Sequence, residues 1–408
     1  MRASVGAWLA VAAAAARSFD GAIDHAGREQ VIHFFRGNSS ARYFSIVEAW
    51  GGEIVVFAKE AVPGHRGHEH DRVSFWTNCR GVLKDREDIA GGCFRAPIKH
   101  LTDYRSARDA NWAHNTASLF EDGVLHMIGG RDGRRRVAHH HVARDGVYRR
   151  EFRSLRELDA RAARVARDTA TLDAAPHPTD LAPAFYGNHS NCTERRPHFA
   201  PNCEFDGRFS LARHGDKVLA FARANVVGLE HAAAPGSAST SKMLVFGGRF
   251  VQVAAAPAAA GPFGPFALLR VAGYAPARDA NIYFASVGAN PADADSLLAL
   301  FPVLSEAGAA IAVAASCDGE TWGALAVLAN TTDAGGGRTL DHPADGWLVD
   351  GATGTVYFFL HRNVPFIRED EQLGDAAFGP RSALTRVPVA LATLAAFTER
   401  HLPGGCGR

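Results

Sequence analysis

Residues 114–130 read HNTASLFEDGVLHMIGG, two strand-like runs joined by Asp122-Gly123. Alternation of apolar and polar residues with a period of two is typical of a β-strand with one buried face. Asp-Gly suits a two-residue hairpin turn, because such turns need positive φ angles. The stretch therefore predicts two antiparallel strands joined by a tight turn.

The same hairpin pattern occurs elsewhere along the chain. Its other copies are residues 41–59, 207–225, 281–303 and 345–364, and weaker strand patterns follow at 72–78, 136–148, 247–256 and 309–329. A hairpin with an outer pair of strands makes a four-stranded blade, which buries its faces only against neighbouring blades. We therefore predict that the protein is all-β and folds as a five-bladed β-propeller.

The remaining segments complete this prediction. The outer strands of the fifth blade are expected from residues 381–395, or partly from the N-terminus, which would close the ring. Residues 148–172 are rich in Arg, Leu, Glu and Ala with helical spacing, and the Pro-rich residues 173–203 follow as an irregular loop. These two segments predict a helical and loop insertion between blades two and three. Residues 17–408 are then one domain.

The N-terminus resembles a secretory signal. Arg2 precedes an apolar run that ends in alanines, which predicts a signal peptide over residues 1–16; the alternatives are an organellar transit peptide or an Ala-rich terminus without function. Glycosylation sequons begin at Asn38, Asn188, Asn191 and Asn330. Cysteine spacing predicts the disulfides Cys79–Cys93 and Cys192–Cys203, while Cys317 and Cys406 either pair or stay free. We predict a secreted protein, or one of the secretory-pathway lumen.

The charge balance excludes some partners. Lys and Arg number 44 against 43 Asp and Glu, so no net field favours nucleic acid or an anionic membrane. No segment beyond the N-terminus is apolar for long enough to insert in a bilayer. The chain has no phosphate-binding loop, nucleophile elbow or zinc-binding helix motif, and the histidine-rich residues 64–71 are expected to form a solvated loop. We therefore expect no cofactor and no metal among these motifs, and the sequence leaves a metal ion on the propeller axis open.

Acidic residues precede the predicted inner strands. The sequence ARDAN occurs at 107–111 and at 277–281, and places Asp109 and Asp279 before the strands of blades two and four. Glu204 and Asp206 stand before the strand of blade three. The beginnings of inner strands converge on one end of a propeller axis, where close carboxylates acquire separated pKa values. A pair of this kind can cleave glycosidic bonds. The alternative interpretation is structural, with each Asp capping a turn through hydrogen bonds to backbone N–H groups.

Other polar residues are predicted to bind the substrate at the same end of the axis. Residues 335–347 bring Arg338, Asp341, His342 and Asp345 into one short loop. The predicted substrate-binding residues are Asp206, Arg208, Arg338, Asp341, His342 and His114. His361 and Arg362 are expected at the far end of the blade.

Residues 41–395, with this hairpin series and its carboxylates, resemble the five-bladed glycoside hydrolases of the arabinanase and invertase type, families 43 and 32. By position, the resemblance implies that Asp109 and Asp279 fill the base or nucleophile and the substrate-orienting Asp roles, with Glu204 as the general acid. The chain lacks the Trp-Met-Asn-Asp-Pro-Asn-Gly and Arg-Asp-Pro motifs of that group, and the Glu-Cys pair is reversed as Cys203-Glu204. The resemblance implies a glycoside hydrolase with a carbohydrate ligand.

Residues 316–322 are similar to the Asp-box turn of sialidases, which need an arginine cluster for the substrate carboxylate. Arginines near the predicted strand beginnings that meet this need are Arg108, Arg208, Arg249, Arg278 and Arg338. Two alternatives therefore stand beside the glycosidase. One is a sialidase-like hydrolase, and the other is a non-catalytic propeller that binds glycans or a protein.

Overall fold

The structure of the protein is a computed structural model. It describes residues 19–34, 42–61, 71–79, 94, 99–101, 114–130, 147–168, 182–185, 206–226, 248–274, 281–305, 308–334, 338–364, 382–402 and 405–406. The predicted signal peptide lies outside the described residues.

Strands dominate the described chain. In chain order they are β1 Gln30–Phe34, β2 Arg42–Ala49, β3 Glu53–Ala61, β4 Asp71–Trp76, β5 Lys99–His100, β6 His114–Glu121, β7 Val124–Gly130, β8 Val147–Phe152, β9 Ala182–Phe185, β10 Asp206–His214, β11 Lys217–Val226, β12 Gly248–Ala256, β13 Ala267–Leu268, β14 Arg270–Val271, β15 Asn281–Ile282, β16 Ser286–Asn290, β17 Asp293–Ser305, β18 Gly308–Ser316, β19 Thr321–Trp322, β20 Ala326–Thr331, β21 His342–Asp350, β22 Thr355–Arg362 and β23 Ala383–Ala390. The helices are α1 Leu155–Asp168 and α2 Leu391–His401. Neither of these two helices of the described chain is long and apolar enough to cross a membrane.

Consecutive strands pair as antiparallel meanders. Two sheets have the orders β6-β7-β8-β9 and β10-β11-β12-β13, and a third is built around β17 and β18. The fourth runs β1-β23-β22-β21-β2-β3-β4-β5, and its two meanders join where β21 lies parallel to β2 at Ser45 and Asp345. The predicted all-β propeller fold is confirmed. The number of blades stays a prediction.

The hairpin turns follow the residues that predicted them. Asp122 and Gly123 have φ angles of 49° and 77°, so the turn between β6 and β7 has the left-handed backbone that Asp-Gly favours. Strand β1 pairs antiparallel with β23, which confirms that the N-terminal part of the chain completes the last meander.

The predicted helix over residues 148–172 is partly wrong. Residues 147–152 form β8, which pairs with β7 along its whole length, and α1 begins only at Leu155. Hydrogen bonding along an open sheet edge overrides the helix propensity of these residues. The helix begins where Ser154 Oγ accepts the Glu157 N–H at 3.2 Å, while the Glu157 carboxylate accepts the Arg153 N–H at 2.6 Å.

Two other boundaries also differ from the prediction. Residues 182–185 form β9 within the segment predicted as irregular loop. The last predicted strand, to residue 395, ends at Ala390, and α2 follows and buries Leu394 and Phe397. This helix docks its apolar side on the sheets, and that contact supplies most of the stability of so short a helix.

The core lies between neighbouring sheets. Leu298 and Leu300 of β17 share one buried cluster with Phe358 and Leu360 of β22. Side chains of β11 and β12 form another with those of β17 and β18. Each sheet therefore buries its apolar face against the next sheet, as blades do.

One disulfide fixes the C-terminus. Cys317 and Cys406 are bonded, with their Cα atoms 5.2 Å apart. Cys79 is also disulfide-bonded. Its predicted partner Cys93, and the predicted pair Cys192–Cys203, lie outside the described residues.

Candidate ligand-binding site at one end of the axis

The innermost strands β2, β6, β10, β16 and β21 contact one another in that order, and β21 contacts β2. Each contributes one buried residue to a serine–aspartate ring, which comprises Ser45, Ser118, Ser210, Ser286 and Asp345. Ser210 and Ser286 donate to Asp345 Oδ1 at 2.7 and 3.2 Å, and Ser45 donates to Oδ2 at 3.3 Å. The Ser45 and Ser118 hydroxyls lie 2.8 Å apart. One carboxylate thus ties the inner strands together on the axis.

Arg208 is the charged neighbour of this ring. Burial raises the pKa of Asp345, while the charge of Arg208 and the serine hydroxyls act in the opposite direction. Arg208 Nη1 donates to Pro343 O at 2.9 Å, and its Nη2 donates to Phe44 O. Burial lowers the pKa of Arg208 to about 10, so it stays charged at neutral pH. This arginine therefore links three inner strands.

Four rings lie on the side of Asp345 where the inner strands begin, and we call them the tyrosine site: Tyr43, Tyr283, Phe284 and His342. The His342 ring stacks on Tyr43 at 5.6 Å, lies 5.3 Å from Tyr283 and meets Phe284 edge-on at 5.2 Å. The two tyrosine hydroxyls lie 3.2 Å apart. Tyr43 has a φ of 56°, in a register shift of β2 between Arg42 and Ser45. Such bulges redirect side chains and are common beside active sites.

Cations surround these rings. Arg42 Cζ and Lys59 Nζ lie 6.0 and 5.9 Å from the centroid of the Tyr43 ring. Arg223 Cζ and Arg249 Cζ each lie 5.2 Å from that of Tyr283. These distances are within the range of cation–π attraction.

Strand register explains why these residues meet. Arg42 pairs with Lys59 across β2 and β3, and Asp206 pairs with Arg223 across β10 and β11. An antiparallel hairpin places the end of its second strand beside the beginning of its first. The Asn281 side chain, at the end of the second ARDAN copy, accepts the Arg249 N–H at 2.5 Å.

The expectation that His361 and Arg362 lie at the far end of the blade is wrong. His361 pairs with His342 across the hairpin of β21 and β22, so both stand at the end with the tyrosine site. His361 Nε2 lies 2.7 Å from Ser382 Oγ. Burial lowers the pKa of His361 to about 3 and that of His342 well below its usual range, and nearby arginines lower both further. Both rings are therefore neutral at pH 7.

The pKa values of Tyr43 and Tyr283 are shifted in opposite directions. Burial is the largest influence on Tyr283 and raises its pKa, but the charges of Arg223 and Arg249 outweigh it, and the pKa falls to about 8. Burial and the neighbouring Tyr283 raise the pKa of Tyr43 above its usual range. Tyr283 is accordingly the phenol that ionises first.

Asp341, predicted to bind substrate, holds a structural ion pair. Its Oδ2 accepts from Arg362 Nη1 at 2.8 Å, and its Oδ1 accepts the Asn363 N–H at 2.8 Å. The other side of the same guanidinium binds Glu29 through two hydrogen bonds of 2.8 and 2.6 Å. This cluster joins the chain just before β1 to the end of β22.

The structure places the other predicted site residues unevenly. His342 belongs to the tyrosine site and Arg208 borders it, while the charge of Arg338 acts on both Tyr283 and His342. Asp206 and His114 begin β10 and β6, and their side chains lie outside the described part of the structure. The predicted catalytic residues Asp109, Glu204 and Asp279 lie outside the described residues.

Sequence reasoning missed Tyr43, Tyr283, Arg42, Lys59 and Arg223. Arg42 and Tyr43 stand at the beginning of the first hairpin, where the rule that found Arg208 applies equally. Lys59 and Arg223 are close to the ends of second strands, and only the pairing register reveals their position.

The opposite end of the axis holds a cavity of about 440 Å³. Val47, Phe120 and Trp347 are among its lining residues, together with Ser118 and Asp345 of the serine–aspartate ring. This ring therefore lies between the cavity and the tyrosine site. Within the described ranges, no group of three or more His, Cys, Asp or Glu side chains is arranged to hold a metal ion.

Sheet order and an axial site of converging polar side chains define a β-propeller. No family model matches the chain, and a comparison with curated proteins found no match. An N-acetylgalactosamine deacetylase from F. plautii, solved in complex with blood group B trisaccharide, is similar in structure with a TM-score of 0.50 and 11% identity, over 95% of this chain and 99% of that chain. The catalytic domain of the Coprinopsis cinerea GH62 α-L-arabinofuranosidase has a TM-score of 0.50 and 10% identity, over 88% and 96% of the two chains. At these identities the likeness concerns the fold.

Proposed function

We propose that the protein is a secreted, five-bladed carbohydrate-active propeller that hydrolyses glycosidic bonds at the tyrosine site. The observation that carries the proposal is the convergence of Tyr43, Tyr283 and their cations where the inner strands begin. Aromatic rings stack on the apolar faces of sugars, and nearby charged donors bind their hydroxyl groups.

The predicted catalytic carboxylates precede, in the sequence, strands that begin at the end of the axis with the tyrosine site. Glu204 lies two residues before β10 begins, and Asp279 two residues before β15 begins. Asp109 lies five residues before β6. These connections support the proposal that one carboxyl group protonates the leaving oxygen while another acts as base or nucleophile. The arginines of this end of the axis would lower the pKa of the carboxyl group that acts as base or nucleophile and keep it ionised.

Secretion is part of the proposal. The bonded pair Cys317–Cys406 and the bonded Cys79 support folding in an oxidising compartment. The predicted signal peptide and sequons agree with that location. Mass spectrometry of the protein secreted by a eukaryotic host tests it through the mature N-terminus and the glycans on the predicted sites. A retained, unprocessed chain would contradict this part.

A sialidase-like hydrolase is the second candidate. It is favoured by the arginines close to Tyr283, which include the predicted Arg249 and Arg338. The turn at residues 316–322 also behaves as an Asp-box, because Asp318 Oδ1 accepts the N–H groups of Glu320 and Thr321 at 2.8 and 2.7 Å. That turn is structural and leaves the choice of substrate to the tyrosine site.

A screen of chromogenic glycosides, including sialosides, combined with a glycan array tests the function. Asp109→Asn, Glu204→Gln and Asp279→Asn should reduce hydrolysis at least about 100-fold while glycan binding persists. Tyr43→Ala should weaken binding, and Tyr357→Phe on β22 serves as a matched control. Binding without hydrolysis by the wild-type protein would favour a non-catalytic glycan-binding propeller. A protein that neither binds nor cleaves any glycan would refute the proposal and leave protein binding.

A further inference from the structure

We infer that the cavity at the opposite end of the axis binds a small aromatic molecule with a neutral hydrogen-bond donor, as in a phenol. The inference goes beyond the proposed function, because the serine–aspartate ring lies between this cavity and the tyrosine site. The cavity has a volume of about 440 Å³. Pockets that bind small molecules typically have volumes of about 300–1,000 Å³, with mostly apolar walls and a few convergent polar groups.

The walls of the cavity are largely apolar, and one of them is a flat aromatic ring. Trp347 lies against the backbone of β16, since a Cβ atom added at Gly288 would lie 2.8 Å from its Cζ2 atom. Phe120 and Val349 also line the cavity. Val349 is 39% exposed, and the described part of the structure exposes few other large apolar side chains. An aromatic ligand would cover these surfaces and remove them from water.

The inner end of the cavity offers hydrogen-bond acceptors. Asp345 and Ser118 line it, and both are buried. Within the described residues, Asp345 Oδ1 accepts from two serines, whereas Oδ2 accepts from Ser45 alone, at 3.3 Å. A carboxylate has about four acceptor sites, so Oδ2 has room for a further and shorter hydrogen bond. A hydroxyl donor on the ligand complements this end of the cavity.

The charges around the cavity favour a neutral ligand. Arg208 acts electrostatically on Asp345 and offsets its charge, so a cationic ligand gains little there. Glu48, the other acidic residue that lines the cavity, is exposed. A ligand carboxylate would lie near both acidic groups and be repelled by them. A phenol donates a hydrogen bond to the carboxylate without this cost.

Three naphthalene derivatives of similar size test the inference by isothermal titration calorimetry at neutral pH. Naphthol should bind at least about tenfold more tightly than methoxynaphthalene, which has no donor for the buried acceptor. Naphthoate should also bind at least about tenfold more weakly than naphthol, because its charge approaches Glu48 and Asp345. Equal affinity for the three compounds, or no binding of naphthol, would overturn the inference.

Variants assign the binding to this cavity. Ala289→Trp adds a large ring at an exposed position of the lining and should abolish naphthol binding. Ala272→Trp is the matched control, because Ala272 is exposed and is not a lining residue. Tyr43→Ala should leave naphthol binding unchanged, and thermal unfolding shows whether each variant is folded. Binding that survives in folded Ala289→Trp, or is lost in folded Tyr43→Ala, would place the ligand elsewhere and overturn the inference. Neither result would affect the proposed function, which the glycan assays test separately.

Discussion

The hydroxyl oxygens of Tyr43 and Tyr283 lie 3.2 Å apart, although the residues are separated by 240 positions. Only one of the two hydroxyls donates in their shared hydrogen bond. The arginines beside Tyr283 favour its ionised form, so Tyr43 is the donor and the Tyr283 oxygen is the acceptor. The pair is thus electrostatically asymmetric despite its chemical symmetry.

We expect one tyrosine to ionise near pH 8, about two units below the usual value for tyrosine. Titration of the absorbance near 295 nm should show this early transition, and Tyr283→Phe should remove it. Tyr43→Phe should shift it to higher pH, because the hydrogen bond from Tyr43 lowers the pKa of Tyr283. Tyr357→Phe should leave it in place. An early transition that survives in Tyr283→Phe would contradict the assignment.

Asp345 should be essential to stability. It is almost fully buried, accepts hydrogen bonds from three serines of the ring and interacts electrostatically with the buried Arg208. Asp345→Ala leaves three buried serine hydroxyls without this acceptor and removes its attraction to Arg208, so we expect the free energy of unfolding to fall by about 3–5 kcal/mol. Urea denaturation measures the change.

A double-mutant cycle measures the electrostatic interaction between Arg208 and Asp345 separately from the loss of buried side-chain volume. Arg208→Met combined with Asp345→Ala should cost less than the sum of the two single changes, because their electrostatic interaction is lost only once. Asp216→Ala, in the exposed turn between β10 and β11, should change the unfolding free energy by less than about 0.5 kcal/mol. Strict additivity of the two buried changes would show that Arg208 and Asp345 do not interact.

The buried histidines predict an acid-sensitive fold. His361 has a pKa of about 3 in the folded state, below the ordinary value near 6.5, because burial disfavours its charged form. Between these values the unfolded chain binds the extra proton, so stability is full above pH ~6.5 and is lost as pH falls toward 3. His361→Gln should flatten the pH dependence of the unfolding free energy by about 1.4 kcal/mol per pH unit between pH 6 and 4. An unchanged slope would mean that His361 titrates normally.

Local sequence predicted the hairpins because their turns depend on local chemistry. Asp122-Gly123 needs only its own φ preferences to turn the chain, and the alternating strands on each side agree with it. Strand β8 could not be predicted in the same way. Its Arg- and Glu-containing residues favour a helix locally, and hydrogen bonding to β7 decides the outcome.

Residues of the candidate site could be predicted only where their place in the sequence, close to the beginning of an inner strand, was enough to locate them. Arg208 was found because it stands at the beginning of an inner strand, and His342 because it lies in the Gly-rich stretch that leads into another. The serine–aspartate ring carries no signal in the sequence, since Ser45, Ser210 and Ser286 are isolated residues that meet only through the tertiary fold. The roles of Asp109, Glu204 and Asp279 stay predictions.

Closure of the last meander should depend on Arg362. Its guanidinium binds Glu29 just before β1 and Asp341 just before β21, and Thr385 Oγ1 donates to the same Glu29 carboxylate at 2.5 Å. Arg362→Met leaves two partly buried carboxylates without this partner, so the free energy of unfolding should fall by about 3 kcal/mol. Hydrogen exchange of the β1 amides should accelerate more than that of β22.

The same ion pair gives this closure a pH dependence. Burial raises the pKa of Glu29, but the hydrogen bonds from Arg362 and Thr385 outweigh it, so the folded-state pKa is lowered. The stabilisation is therefore present above the unfolded value of about 4.3 and is lost as pH falls through the folded one. Arg28→Met, which alters the exposed neighbour of Glu29, should leave both stability and exchange near wild-type values. If β1 exchanged at the same rate in Arg362→Met as in the wild type, strand pairing between β1 and β23 alone would hold the N-terminal strand in place.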